Sequence, residues 1–193
     1  MRLVAVFLLV AQIATGVLAS LTSDTTTSSS TPTTTYTTTW PYTTTTPKPS
    51  KCESPFVKIG ARCVFVEPFL EGPWQESRYM CHELDAELAV VDDFQFYYDL
   101  LKFIRGEGID HGSYWIGAND TETEGKWVWV NGETVDFGSP FWAIGKDNYG
   151  SYYLEPNGKT SQNCLILDVE RALYFDDREC KEEHYTICEK KLQ

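Results

Sequence analysis

Six cysteines limit most strongly what this chain can fold into, and all of them follow residue 51. They are Cys52, Cys63, Cys81, Cys164, Cys180 and Cys188. An even number of cysteines in a secreted domain indicates disulfides, although spacing alone does not choose among the possible pairings. Paired sulfurs are available neither for thiolate catalysis nor for zinc. The histidines, at positions 82, 111 and 184, are too widely separated to suggest a metal site of their own.

The residues before Cys52 predict the compartment in which those disulfides form. Arg2, an apolar run over residues 3–10 and small residues before Ser20 are typical of a secretory signal peptide over residues 1–19. The run is short and lacks a charged stop-transfer flank, which disfavours an uncleaved membrane anchor. Residues 20–51 are rich in Thr, Ser and Pro, which predicts a mucin-like stalk or a plain linker. We therefore expect a secreted protein with one folded domain over residues 52–193.

The charge of the chain excludes two classes of partner. The formal net charge is −12 at pH 7, and among the acidic residues only Asp24 precedes Cys52. Nucleic acids and anionic membrane surfaces select basic proteins, so neither is expected as a partner. No stretch after the leader is apolar over a length that would span a bilayer, so membrane insertion is not expected either.

Hydrophobic periodicity predicts two helices followed by short strands. The first helix is expected over residues 74–88, and the second from an N-cap at Asp92 to about Arg105. Strands are expected over residues 114–118, 126–130, 165–167, 172–175 and 185–188, with a tight turn at Asn131-Gly132. This order indicates an α+β domain, with the alternating residues Trp115, Trp127 and Trp129 in its core.

Residues 134–162 lack periodicity and lead into a group of oxygen-bearing side chains. A loop of this length in a compact domain is usually functional or disordered. The end of the loop carries hard oxygen donors at Glu155, Asn157 and Gln162. Beyond an apolar strand, Asp176 and Asp177 add two more. Such donors suit Ca²⁺, which takes about six to eight oxygen ligands. The sequence therefore predicts a calcium site. The tyrosines of the loop either stack on a ligand beside that site or pack within the loop.

Four short motifs occur in order among the cysteines. They are WIGAND at 115–120, EGKW at 124–127, EPN at 155–157 and DDREC at 176–180. Together they resemble the C-type lectin-like domain over residues 52–188, and the leader and stalk are similar to those of secreted nematode members. The resemblance implies a C-type lectin-like fold with two helices, short antiparallel sheets and a long loop. It also implies a cis peptide before Pro156 and the disulfides Cys52–Cys63, Cys81–Cys188 and Cys164–Cys180.

The same resemblance implies a ligand set. In sugar-binding members five side chains hold one Ca²⁺ beside the sugar, and the matching positions are Glu155, Asn157, Gln162, Asp176 and Asp177. All but Asp177 would also contact the sugar. Gln162 and Asp176 replace the usual Glu and Asn, so the set keeps three carboxylates and two amides. Because an amide both donates and accepts, Asp176 with Gln162 could serve a sugar hydroxyl with donor and acceptor exchanged. The alternative is that the two changes mark a decayed site.

In this family the EPN tripeptide accompanies a preference for mannose-type sugars, so the resemblance implies glycans as partners, for example on microbial surfaces. The family also contains Ca²⁺-independent members that bind proteins, and a lectin-like protein-interaction module is therefore the second hypothesis. The sequence contains no coiled coil or unpaired cysteine from which an oligomeric state could be inferred. Asn119 begins an N-glycosylation sequon.

An enzyme and a second calcium site are both disfavoured. Asp176 and Asp177 are adjacent on a predicted strand, where neighbouring side chains point to opposite faces, and no carboxylate is placed across a cleft from them. A second calcium site found in some members would use Asp120 and Glu124. The other matching positions are Gly158, Gln162 and Asn163, which add no negative charge, and hard cations need that charge.

Overall fold

A computed structural model describes residues 51–136 and 141–190 of the chain. The predicted leader over residues 1–19 and all but the last residue of the predicted stalk lie outside the described residues. Within the described part, no helix has the length and apolar character needed to cross a membrane.

The domain begins with two strands that the periodicity did not indicate. Strand β1 (Val57–Ile59) pairs antiparallel with β2 (Arg62–Gly72), the two being joined by a turn at Gly60. Gly60 has a φ of +57°, a conformation that glycine adopts without steric cost. The alternation along β2 is irregular near its end, where Phe69 and Leu70 are exposed. This departure from period two is why the strand pattern was missed.

Helix α1 (Trp74–Glu83) is shorter than predicted. Asp85 has a φ of +53°, which ends the helix, and β3 (Glu87–Leu88) then pairs with the last strand of the chain. The prediction that the helix continues to Leu88 is therefore wrong. Leu88 has helical spacing from Leu84, but it is fully buried as a strand residue in the sheet.

Helix α2 (Phe94–Gly106) begins one residue later than predicted. Its N-cap is Asp93, whose carboxylate accepts hydrogen bonds from the backbone N–H groups of Gln95 and Phe96 at 3.3 and 2.9 Å. Asp92, the predicted cap, instead forms an ion pair with Arg62 at 2.6 Å. Two adjacent aspartates offer the same local capping chemistry, and the tertiary contact with Arg62 decides between them.

The remaining strands of the main sheet are β4 (Tyr114–Asn119), the short β5 (Val128–Trp129), β8 (Cys164–Asp168), β9 (Tyr174–Arg178) and β10 (His184–Lys190). In the described residues this sheet has the order β1-β2-β10-β4-β8-β9, and β5 pairs with β4. Strands β4 and β10 are parallel, whereas the other pairs are antiparallel. The prediction of a strand over residues 172–175 is wrong at its start, because Ala172 and Leu173 have φ values of +56° and +66° in the turn before β9.

The long unpatterned segment contains a small hairpin of its own. Strand β6 (Ile144–Lys146) pairs with β7 (Tyr152–Leu154), and a 3-10 turn follows at Lys159–Ser161. Residues 137–140 of this segment lie outside the described residues. The peptide between Glu155 and Pro156, which follows the hairpin directly, is cis as expected.

The disulfides and the core match the expected fold. The bonds Cys52–Cys63, Cys81–Cys188 and Cys164–Cys180 are all present in the described residues. Trp115, Trp127 and Trp129 are buried in the core, as predicted. The structure is therefore the expected α+β fold of two helices, short strands and a long loop.

Candidate functional site

Three buried carboxylates come together where the long loop meets the last hairpin of the main sheet. Glu155, Asp176 and Asp177 each place one oxygen within 4.8 Å of the others. Asp176 and Asp177 are carried by β9, which pairs with β8. Glu155 is held nearby because its backbone N–H donates to the carbonyl of Ala143 at 3.0 Å. Residues separated by a strand and a turn in sequence therefore form one acidic cluster.

The adjacent aspartates reach the cluster in different ways. The carboxylate of Asp177 accepts hydrogen bonds from the backbone N–H groups of Asn157 and Gly158 at 3.0 and 2.6 Å. The carboxylate of Asp176 lies instead beside two arginine side chains, Arg178 on β9 and Arg171 in the turn before it. The expectation that strand neighbours diverge was too simple, because each residue still contributes one oxygen to the cluster.

Two arginines face the cluster, and the sequence analysis did not predict either. Arg171 donates from Nη1 to Glu155 Oε1 at 2.8 Å, and its Nε lies 3.5 Å from Asp176 Oδ2. Arg178 donates from Nη2 to Asp168 Oδ2 at 3.0 Å and lies equally close to Asp176 Oδ2. Arg178 was detectable, since it follows Asp176 by two residues on the same strand face. Arg171 lies in the turn before β9, where no periodicity applies.

The arginines leave part of the cluster unsatisfied. Glu155 Oε2 and Asp176 Oδ2 are buried and have no hydrogen-bond partner within residues 51–136 and 141–190. Arg178 is near enough to Asp176 Oδ2 for an ion pair, but the contact lacks hydrogen-bond geometry. A buried carboxylate oxygen without a partner is costly, so the pair marks a position suited to a cation.

The crowding of negative charge is visible in the proton affinities of the two carboxyls. Burial raises the pKa of Asp176 to about 8, although the Arg178 guanidinium works in the opposite direction. Burial and the charge of Asp177 also raise the pKa of Glu155, which Arg171 partly offsets. Both shifts express the same physical fact, that the ionised form lacks full compensation in this arrangement.

The two predicted amide ligands lie at the edge of the same depression. Asn157 and Gln162 line it together with Glu155 and Asp177, whereas the buried Asp176 is not among the residues that line it. Gln162 packs closely on Gly158, since a Cβ on that glycine would fall 2.0 Å from Gln162 Oε1. The structure therefore brings four of the five predicted ligands to one surface, with Asp176 reaching the cluster from the sheet side.

The residues of the disfavoured second calcium site border this depression. Asp120 is buried, and its Oδ2 accepts from the Gly125 backbone N–H at 2.8 Å. The Asn163 amide, oriented to donate from its nitrogen, lies 3.3 Å from Asp120 Oδ1. Glu124 is exposed on the surface. Both oxygens of Asp120 thus face protein donors, and the absence of a second calcium site stays a prediction.

The hairpin of β6 and β7 presents an apolar surface beside the depression. Ile144, Tyr149, Tyr152 and Leu154 are exposed, Tyr149 by 96%. Tyr153 points the other way and packs against Gly145, and its hydroxyl lies 3.4 Å from Arg171 Nη2. Of the loop tyrosines, one therefore packs within the protein and two are accessible to a ligand.

The donor set fits Ca²⁺. Three carboxylates, two of which have a buried oxygen without a hydrogen-bond partner among the described residues, and two nearby amides match the preference of this ion for hard, negatively charged ligands. The cluster contains no histidine or cysteine that would favour zinc or another transition metal.

The fold and this cluster define the class to which the chain belongs. Residues 71–190, more than half of the chain, match the Lectin C-type domain, and the chain belongs to that family. Members of this family are typically carbohydrate-binding proteins, not enzymes, and the family generally binds Ca²⁺.

Two similar proteins illustrate the relationship. The chain is 28% identical to CD209 antigen-like protein C of Mus musculus over 142 residues, which cover 72% of this chain and 69% of that protein. It is also 28% identical to perlucin of Haliotis laevigata over 126 residues, which cover 63% of this chain and 72% of that one.

Two solved structures share the fold of this chain. The carbohydrate-recognition domain of cow CD23, crystallised in the presence of a GlcNAc2Man3 oligosaccharide, aligns with a TM-score of 0.58 at 20% identity, covering 74% of this chain and 97% of that one. A calcium-independent type II antifreeze protein aligns with a TM-score of 0.56 at 22% identity, covering 74% and 95%. Likenesses at this identity establish the fold alone.

Proposed function

We propose that this protein is a secreted, Ca²⁺-dependent lectin that binds mannose-type sugars. The observation that carries the proposal is the buried cluster of Glu155, Asp176 and Asp177, whose oxygens lie within 4.8 Å of one another. Glu155 Oε2 and Asp176 Oδ2, which lack a hydrogen-bond partner among the described residues, support the same interpretation. The leader, as predicted from the sequence, supports secretion.

Each residue has a distinct role in this proposal. The ion would be held by Glu155, Asn157, Gln162, Asp176 and Asp177. Once bound, the ion would coordinate two vicinal hydroxyls of the sugar. The Glu155 carboxylate accepts a hydrogen bond from one hydroxyl and the Asn157 amide donates to it. Asp176 accepts from the other hydroxyl while Gln162 donates. Asp177 orients the loop, since it already receives the N–H groups of Asn157 and Gly158.

Mannose-type sugars are proposed because the tripeptide Glu155-Pro156-Asn157 resembles that of family members with this preference. The exposed Tyr149 and Tyr152 lie on the adjoining hairpin, where aromatic faces can pack on a sugar ring. The biological partners would be glycans that carry terminal sugars of this type, for example on microbial surfaces.

The test is retention of the full secreted chain on immobilised mannose in millimolar Ca²⁺. We expect elution by EDTA and by soluble mannose, but not by galactose. Gln162→Ala should lower the affinity for mannose by at least about tenfold, since it removes a ligand and a donor together. Gln95→Ala is the matched control, because Gln95 is an exposed amide on α2. Retention that persists in EDTA, or wild-type affinity in Gln162→Ala, would contradict the proposal.

A Ca²⁺-independent protein-interaction module is the second candidate. It is favoured by one observation, the 2.8 Å contact between Arg171 and Glu155, which places a cation of the protein at the cluster. This candidate predicts that the chain flows through the mannose column and that EDTA leaves its thermal stability unchanged.

A further inference from the structure

Arg171 contacts the very carboxylates that the proposed metal site needs. Its Nη1 donates to Glu155 Oε1 at 2.8 Å, and its Nε lies 3.5 Å from Asp176 Oδ2. The same Nε lies 3.6 Å from Asp168 Oδ2. The guanidinium is therefore placed against the acidic cluster from the side of the turn that precedes β9.

The surroundings of Arg171 hold this arrangement. Its Nη2 lies 3.4 Å from the hydroxyl of Tyr153, and its guanidinium carbon lies 5.8 Å from the centre of that ring. Tyr153 is itself fixed by close packing on Gly145 across the β6–β7 hairpin. Arg171 is about one-fifth exposed, whereas the side chain of Glu155 is almost fully buried. The contact thus links the hairpin, the Glu155 segment and the turn before β9.

We propose that Arg171 is an internal competitor of Ca²⁺, which sets the calcium affinity of the cluster by occupying Glu155 and the approach to Asp176. This inference rests on the proposed function, since it concerns the same ion. Two cations in contact with one buried carboxylate repel each other strongly at low effective dielectric. Binding of Ca²⁺ to Glu155 and the Arg171–Glu155 contact therefore compete with each other.

Arg171 does not satisfy every carboxylate oxygen of the cluster, so a metal ion can still bind there. A planar guanidinium satisfies only the oxygens that lie within its fork. Glu155 Oε2 and Asp176 Oδ2 keep no hydrogen-bond partner in the part of the chain that the structure describes. A divalent ion can satisfy both oxygens, so it has an advantage that grows with its concentration. Calcium affinity should accordingly be lower than that of the same ligand set without the arginine.

Displacement of Arg171 would also alter the hairpin. When the guanidinium leaves Glu155, Tyr153 loses the partner of its hydroxyl and its cation–π contact. The same hairpin carries the exposed Tyr149 and Tyr152. Ca²⁺ binding is thereby coupled to the surface beside the sugar site.

Calcium titration of the full chain by calorimetry tests the inference. Arg171→Gln removes the competing charge, and we expect it to bind Ca²⁺ at least about fivefold more tightly than the wild type. Its melting temperature in EDTA should fall, because Glu155 loses its ion pair while it stays buried. Arg105→Gln is the matched control, since Arg105 lies beside the same turn but donates to the carbonyl of Ala172 and not to a carboxylate. This control should keep the wild-type calcium affinity.

The outcomes separate the two proposals. Equal calcium affinity in the wild type and Arg171→Gln, or an equal gain in Arg105→Gln, overturns the competitor and leaves the lectin proposal intact. Binding by Arg171→Gln alone supports the competitor and overturns calcium dependence of the wild type. Binding by neither overturns both.

A second measurement needs no variant. In a crystal structure of the wild-type chain with Ca²⁺ bound, Arg171 Nη1 should lie beyond hydrogen-bond distance of Glu155 Oε1. Persistence of that contact beside the ion would overturn the inference, whether or not Arg171→Gln folds.

Discussion

At the scale of single residues, burial controls how the ionisable groups of this domain behave. His184 lies at the start of β10, where its ring packs edge-on against Trp115 with the centroids 4.8 Å apart. Burial lowers the pKa of His184, and this outweighs the opposing effect of Glu182, whose carboxylate lies 3.2 Å away. The folded protein therefore resists protonation of a ring that the unfolded chain protonates readily.

This pKa shift predicts a pH dependence of folding stability. The unfolded chain protonates His184 at about pH 6.5, whereas the folded protein does so at lower pH. Stability should thus be full above about pH 6.5 and decline as the pH falls below it. Urea unfolding at about pH 7.5 and 5.5 should show a smaller loss in His184→Gln than in the wild type. His111→Gln, which removes an exposed imidazole, is the control. Equal losses in His184→Gln and the wild type would contradict this role.

Some residues of the candidate site could be predicted from the sequence, and others could not. Glu155, Asn157 and Asp177 were recognisable because they occur in short motifs whose order is informative. Arg171 was not, because nothing local distinguishes this arginine from an ordinary surface residue. Its contact with Glu155 spans 16 positions and depends on how the loop returns to the sheet.

At the scale of elements, close backbone approach limits substitution in the central strand. Gly117 lies in the middle of β4, where its N–H donates to the carbonyl of Ala89 at 2.8 Å. A Cβ at this position would lie 2.7 Å from the carbonyl oxygen of Leu88 and 2.7 Å from Val130 Cγ2. One of these neighbours is backbone, which cannot rotate away, so the strand tolerates only glycine without displacement.

Replacement of this glycine should therefore destabilise the domain. Gly117→Ala should lower the free energy of unfolding by about 1–3 kcal/mol, as is usual for overpacking in a tightly packed core. Urea denaturation would measure it. Gly106→Ala, at the end of α2 with open space around its Cβ position, is the control and should change stability little. Unchanged stability in Gly117→Ala would contradict this prediction and would show that β4 can shift away from β3.

Element boundaries were predictable only where local signals were unopposed. The turn at Asn131-Gly132 forms as predicted, since Gly132 has a φ of +90°. Helix α1 ends earlier than predicted because Leu88 pairs with β10 in the sheet. The N-cap of α2 is Asp93 and not Asp92, because Asp92 forms an ion pair with Arg62. In both cases a contact distant in sequence overrides a local preference.

At the scale of the whole molecule, the disulfides differ in how much chain they constrain. Cys81–Cys188 closes 107 positions and joins α1 to β10, whereas Cys52–Cys63 closes 11. Cys164–Cys180 closes the hairpin that carries Asp176 and Asp177. The entropy lost by the unfolded chain grows with the length of the closed loop.

The loss of stability on removal of a disulfide should therefore be larger for the longer closed loop. Cys81→Ala with Cys188→Ala should cost up to about 5 kcal/mol, and Cys52→Ala with Cys63→Ala about 3 kcal/mol or less. Chemical denaturation of both double variants measures the difference. The acidic cluster of Glu155, Asp176 and Asp177 is distant in sequence from Cys52–Cys63, so that variant should keep the Ca²⁺ affinity of the proposed site. A larger loss for the shorter loop would mean that native contacts, not chain entropy, dominate.

Cysteine number, hydrophobic pattern and short motifs were sufficient to predict the class of fold, the disulfide-bonded domain and the residues of the acidic cluster. All three signals are local or depend only on order along the chain. The placement of Arg171 against Glu155 and of Arg62 beside Asp92 could not be predicted in this way. These contacts join side chains 16 and 30 positions apart. Such pairs are selected by packing and charge compensation in the folded chain, and no local pattern encodes them.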